Sequence, residues 1–130
     1  MKKVLVFGTF DILHEGHLAM LKEARALGDE LVVVVALDKT VEQLKGRLPH
    51  YSEGERKKHL EETGLASRVR LGSSGDKLAV VREEKPDVIA LGYDQTFFTK
   101  ELEETFGVTT TIVRLQAFKP DIYKSSLLRP

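Results

Sequence analysis

Cysteine is absent from this chain of 130 residues, which excludes a disulfide framework and any thiolate metal site. That absence fits a reducing compartment, and a cytoplasmic location is expected. An excess of one charge is also missing. Lysine plus arginine and aspartate plus glutamate number 20 each, so no overall basic field exists to hold nucleic acid. The longest apolar run, Leu31 to Leu37, is far too short to span a bilayer. Met1-Lys2-Lys3 leads into a short strand-like run, without the apolar stretch and cleavage site of a signal peptide. There is no Walker A loop and no G-x-G-x-x-G fingerprint, and no repeat, linker or low-complexity segment. What remains is the composition of an ordinary water-soluble globule, 42% hydrophobic and 31% charged, with 1–130 expected to form a single domain.

The chain alternates between two periodicities. Val4 to Phe7 and Leu31 to Leu37 are β-rich and apolar on both faces, as strands buried in a parallel sheet are. Between them Leu18, Leu21, Ala24 and Leu27 recur at helical spacing, with Gly28 as the stop. Ser52 and Glu55 form a capping-box pattern that opens a helix to about Glu62. Val69 to Leu71 reads as a short strand, Asp76 to Glu84 as a helix, and Val88 to Leu91 as a buried strand after Pro86. Thr99 to Phe106 reads as a helix, Thr110 to Leu115 as a fifth strand, and Ser125-Ser126 as the cap of a last turn. Gly72 to Gly75 reads as a turn. The alternation implies an α/β fold, a doubly wound (Rossmann-like) domain with a parallel sheet of about five strands. Such sheets bind ligands at the carboxyl ends of their strands, which directs attention to Gly8–His17 and Gly92–Phe98.

The first of these reads Gly8-Thr9-Phe10-Asp11-Ile12-Leu13-His14-Glu15-Gly16-His17 and runs straight into a helix. His14 and His17 lie three residues apart and share one side of a helical turn. Gly16 permits close backbone approach, and the helix start adds amides and partial positive charge. Two imidazoles with those amides suit a triphosphate whose charge builds up as pyrophosphate leaves. The plainer alternative is that the histidines cap and pack the helix. A zinc site is a third reading, with only two ligands at hand. After the fourth strand, Asp94 can accept hydrogen bonds from nucleotide hydroxyls or an exocyclic amine. Phe97 and Phe98 then offer either a stacking partner or core packing. Lys39, Lys45 and Arg47 follow the second strand as either phosphate ligands or a solvated loop.

The decamer matches the G-x-F-D-x-x-H-x-G-H signature of the nucleotidylyltransferase superfamily, which includes the glycerol-3-phosphate cytidylyltransferases. Over nearly its whole length the chain resembles the archaeal-type FAD synthases. The shared stretches are the opening Gly-Thr-Phe-Asp-Ile-Leu-His, Ala26 to Leu31, and Pro86-Asp87 followed by Leu91-Gly92-Tyr93-Asp94-Gln95. The Gly-Asp-Asp-Trp and Arg-Thr-Glu-Gly-Ile-Ser-Thr segments of the cytidylyltransferases are absent. The resemblance implies transfer of the AMP moiety of ATP to FMN, giving FAD and pyrophosphate. A glycerol-phosphate or sugar-phosphate nucleotidyltransferase is the second reading, and a non-catalytic nucleotide-binding regulator the third.

By the same resemblance His14, His17 and Arg56 are catalytic. Thr9, Phe10, Glu15, Gly16, Gly92, Asp94, Tyr123, Ser125 and Ser126 join the histidines in holding the nucleotide, with Arg129 near the phosphates. Lys45, Asp11 and Phe97 take the acceptor. The serine pair departs from the family pattern, with Asp121-Ile122 where glycine is usual and Lys124 where some members carry cysteine. A divalent cation, expected to be Mg²⁺, should arrive with ATP rather than sit in a protein cage. A homodimer is also implied, with no membrane or nucleic-acid partner.

Overall fold

The computed structural model describes residues 2–73, 78–91, 99–106 and 110–115, with only the backbone at 99–101 and 103. Five strands form one all-parallel sheet in the order β3-β2-β1-β4-β5. They are β1 (Lys3–Gly8), β2 (Glu30–Val35), β3 (Arg68–Leu71), β4 (Val88–Leu91) and β5 (Thr111–Arg114). The helices are α1 (Glu15–Arg25), α2 (Asp38–Lys45), α3 (Glu53–Glu62), α4 (Ala79–Glu84) and α5 (Thr99–Phe106). The α/β parallel fold expected from the sequence is the one found, and the strand order reverses between β1 and β4.

Alternation along the central strands divides the core into two layers. Val4, Val6, Leu31, Val33 and Ala90 pack with Leu21 and Ala24 of α1 and Leu60 of α3. Leu5, Phe7, Val32, Val34 and Ile89 turn the other way, onto Val80 and Val81 of α4 and Leu102 of α5. The continuous apolar runs of β1, β2 and β4 are therefore apolar because both faces are covered. Ser52 accepts from the Glu55 amide at 3.2 Å while the Glu55 carboxylate accepts from the Ser52 amide, closing the expected capping box of α3.

Two local readings change. Helix α1 ends at Arg25 with Ala26 as its cap, so Gly28 is not its stop. Gly28 instead allows close passage beside β1, where a Cβ would lie 2.7 Å from the Lys2 carbonyl oxygen. Helix α2 occupies a stretch expected to be loop. Its signal was Leu37, Val41 and Leu44 at helical spacing, followed by Gly46, which closes the helix at φ 77.

At the amino end of the sheet, the Glu84 carboxylate is 6% exposed and accepts from Lys3, Arg68 and Arg70. These partners, Arg68 foremost, hold its pKa down at about 2, below the ordinary 4.5. A depressed carboxyl pKa adds stability that is complete above 4.5 and is lost as the pH falls toward 2. Glu84→Gln should therefore lower stability at pH 7 by about 1.5–3 kcal/mol, the scale of charge-assisted bonds. In thermal melts the gap between variant and wild type should close as the pH is lowered through that interval. A gap that stays constant with pH counts against this account.

Candidate active site

The segment that leaves β1 is built around a strained residue. Phe10 has φ 52, a left-handed conformation costly to a bulky side chain. Its ring is 3% exposed, part of the core layer beneath α1, and apolar burial of that kind returns about 1.5–3 kcal/mol. The ring also lies over Gly8, where a Cβ would meet it at 2.6 Å. Glycine and phenylalanine in the signature are thus two halves of one packing contact. The Phe10 ring faces the core and supports His17 edge-on at 5.9 Å between centroids, which leaves the nucleotide-binding role expected of this residue to its backbone.

His14 is the N-cap of α1 and His17 its third residue, and the two cap the helix reciprocally. The Gly16 amide donates to His14 Nδ1 at 3.1 Å, and the His14 amide donates to His17 Nδ1 at 3.3 Å. The capping alternative and the catalytic one are therefore compatible, since they use different ring nitrogens. A lone pair engaged at Nδ1 puts the proton of the neutral ring on Nε2. Both rings then offer an Nε2–H donor, with their centroids 4.0 Å apart. Burial lowers the pKa of both, and the nearby charges of His14 and Lys45 help bring His17 down to about 4. At neutral pH the pair consists of uncharged donors beside the free amides of a helix start.

Around this turn, four polar side chains hold distant segments together. Arg56 is 0% exposed. Its guanidinium donates to the carbonyls of Tyr51 and Thr9 and forms a 2.8 Å ion pair with Asp38. The catalytic role expected of Arg56 gives way to a positioning one, because those bonds engage the group within the protein. Asp11, expected to take the acceptor, is also tied into the protein. Its carboxylate accepts the amides of His50 and Tyr51 at 2.7 and 2.9 Å, tying the signature segment to the start of α3. Asp38 was missed by sequence reasoning; its position opening α2, directly after a buried strand, was the available signal. The Asp38 amide in turn donates to Glu53 at 2.9 Å.

Thr9 and Gly16 are partly exposed and Glu15 is exposed, all on the same turn as the histidines. Lys45 ends α2, is exposed, and lies near enough to His17 to lower its pKa. Lys39 and Arg47 are exposed. Gly92, Tyr93, Asp94, Phe97, Phe98, Tyr123, Ser125, Ser126 and Arg129 fall outside the described residues.

The profile of cytidylyltransferase-like proteins matches residues 5–129. The chain belongs to the cytidylyltransferase-like family. Among its relatives, a protein of Thermoplasma volcanium named FAD synthase is 43% identical across 99% of this chain and 92% of its own length. Another FAD synthase, from Aciduliprofundum boonei, is 46% identical across 91% of this chain and 80% of its own. The crystal structure of a Thermoplasma volcanium protein, described as a lipopolysaccharide core biosynthesis protein, superposes with TM-score 0.83 at 44% identity, covering 92% of this chain and 99% of that one. A pantoate–β-alanine ligase of Francisella tularensis, complexed with β,γ ATP and β-alanine, superposes with TM-score 0.59 at 15% identity over 91% of this chain and 60% of that one. It shares the fold. For a member of this family, the signature histidines thus lie on a helix turn that they cap themselves.

Two outcomes follow from these bonds. The unfolded chain binds a proton at His17 near pH 6.5 and the folded chain only near 4, so acid favours unfolding through that interval. Wild-type melting temperature should fall as the pH drops from 6.5 toward 4, while His17→Gln, which keeps a capping acceptor without an imidazole, should show a shallower fall. An equally steep fall in the variant would remove His17 as the cause. Arg56→Met should cost on the order of 3–5 kcal/mol in denaturant unfolding, because it strands a partly buried carboxylate and two carbonyls. A surface phosphate ligand would change stability by no more than about 0.5 kcal/mol.

Proposed function

We propose that the chain is an FMN adenylyltransferase, an FAD synthase that forms FAD and pyrophosphate from FMN and ATP. The observation that carries the reaction class is the pair of neutral Nε2–H donors fixed at the amino terminus of α1. The substrate pair rests on the relatives named FAD synthase, 43% and 46% identical across nearly all of the chain.

In this reading, an FMN phosphate oxygen attacks the α-phosphorus of ATP in line. The new P–O bond forms as the bond to the bridging oxygen breaks, and that oxygen leaves with pyrophosphate. The attacking oxygen is already ionised at neutral pH, so no general base is needed. His14 and His17 donate Nε2–H bonds to the phosphate oxygens where charge accumulates, supported by the amides at Gly16 and its neighbours. Thr9 and Glu15 flank the phosphates, and Lys45 neutralises the acceptor phosphate. Gly92, Asp94, Tyr123, Ser125 and Ser126 complete the nucleotide site, and Phe97 belongs to the acceptor side.

No group of three or more His, Asp or Glu side chains converges to hold a metal among the described residues. The cation, Mg²⁺ by the chemistry of ATP, is assigned to the nucleotide as it enters. No helix among the described residues is long and apolar enough to cross a membrane. A single domain, a cytoplasmic location and a homodimeric assembly complete the proposal.

Chromatography of the products from ATP or CTP, each with FMN or glycerol 3-phosphate, tests the substrate pair. FAD should form from ATP and FMN, with little or no CDP-glycerol, and the reverse result would overturn the assignment. His14→Asn and His17→Gln retain capping acceptors, so their melting temperatures at neutral pH should stay near wild type. Their turnover should drop by roughly 10²–10³, the scale of one lost transition-state donor. Unimpaired turnover in either would remove that histidine from the chemistry.

A further inference from the structure

Beside Gly8 and Thr9, the carboxyl ends of β1 and β2 and the helices α2 and α4 line a largely apolar cavity that opens to solvent, the character of a small-molecule site. Phe7 and Val34 form its floor, on the side of the sheet that carries α4 and α5. Val41 and Leu44 of α2 and Val80 of α4 form its walls. Leu44 is 42% exposed, and Lys45, the next residue, borders the cavity as well.

We propose that this cavity seats the isoalloxazine ring of the acceptor, dimethylbenzene edge inward, with Lys45 between the ring and the histidines. The assignment rests on the FMN reading above and gives that substrate its place. Phe7, Val34, Val41, Leu44 and Val80 offer no partners to the hydrogen-bonding atoms along the edge of adenine, which leaves Thr9, Thr40, Lys45 and Ser73 as the polar side chains of the lining. The dimethylbenzene edge of a flavin has no such atoms, and its burial is favoured by the apolar area it removes from water.

Topology agrees with this division. β1 lies between β2 and β4, so the cavity at β2 and the switch-point crevice at β4 fall on opposite sides of the histidine segment. In-line transfer requires that arrangement, with the acceptor on one side of the α-phosphate and the nucleotide arriving from the other. Lys45 borders the cavity and also acts electrostatically on His17, which puts it within reach of a phosphate passing between them.

Thr40→Trp fills the cavity, and Leu44→Asp places a charge on its wall at a position already partly in water. Binding is read by fluorescence anisotropy with FMN and with lumiflavin, a flavin ring without phosphate, and by calorimetry with Mg–ATP. Wild type should bind both flavins. Each variant should weaken FMN and lumiflavin by about tenfold or more, the effect of losing about two buried methylene equivalents, and leave ATP affinity unchanged. Failure of wild type to bind either flavin overturns the proposal. So does undiminished flavin binding in a folded variant, or a loss confined to ATP, which would give the cavity to adenine. If Thr40→Trp does not fold, Leu44→Asp decides alone. Should wild type make no FAD yet bind lumiflavin in this cavity-dependent way, the reaction reading falls and the ring site stands. FAD formation with flavin binding unimpaired in the variants does the opposite: it upholds the reaction and removes the ring from this cavity.

Discussion

The amide-to-Nδ1 bonds at the start of α1 set the terms for everything around them. A helix start leaves amides without partners, and most proteins satisfy some of them with a serine, threonine or aspartate oxygen. Here imidazole nitrogens do so, at 3.1 and 3.3 Å. Because the lone pair at Nδ1 is engaged, each ring presents Nε2–H outward. Protonating a ring removes that lone pair, so the cap itself opposes the charged form. Burial and neighbouring charge act in the same direction, bringing His17 to about 4. Helix stability and tautomer thus come from one set of contacts, and burial of the same rings keeps them uncharged.

That cap can form only if the chain arrives at His14 in the right place, and the approach is strained. Phe10 holds a left-handed backbone because its ring is locked in the core over Gly8. Arg56 then fixes the Thr9 carbonyl, and Asp11 fixes the amides of His50 and Tyr51. These braces run between the signature segment, the opening of α2 and the opening of α3. Their polar groups are buried or partly buried and mutually satisfied, so loss of one member exposes the others to a desolvation cost. The result is a rigid base for the proposed phosphate site, continuous through Asp38 with the helix that carries Lys45.

Much of this was legible in the residues themselves. The apolar runs at Val4–Phe7, Leu31–Leu37 and Val88–Leu91 announced buried parallel strands, since only a strand covered on both sides tolerates them. Ser52 and Glu55 announced a helix start that the structure closes with the expected bonds. Helix α2 escaped notice because it is short, 8 residues, and its lysines suggested a solvated loop more strongly than Val41 and Leu44 suggested a face. The cavity escaped for a related reason: its floor and walls come from four separate elements, and no local pattern brings them together.

By itself, the sequence determined what depends on near neighbours along the chain. Strand and helix periods, the pairing of His14 with His17 on one turn, and the Ser52 cap all act within a few residues. The family signature is of the same kind. Tertiary structure decided which of those residues have their side chains engaged within the protein. Phe10, Asp11 and Arg56 were all expected at the site, yet their side chains are engaged by the core, by backbone amides and by carbonyls. Arg56 reaches Thr9 across 47 positions of chain. Contacts at such separation exist only once the sheet has brought the carboxyl ends of its strands together, because burial and long-range hydrogen bonding are properties of the assembled layers and not of any one segment.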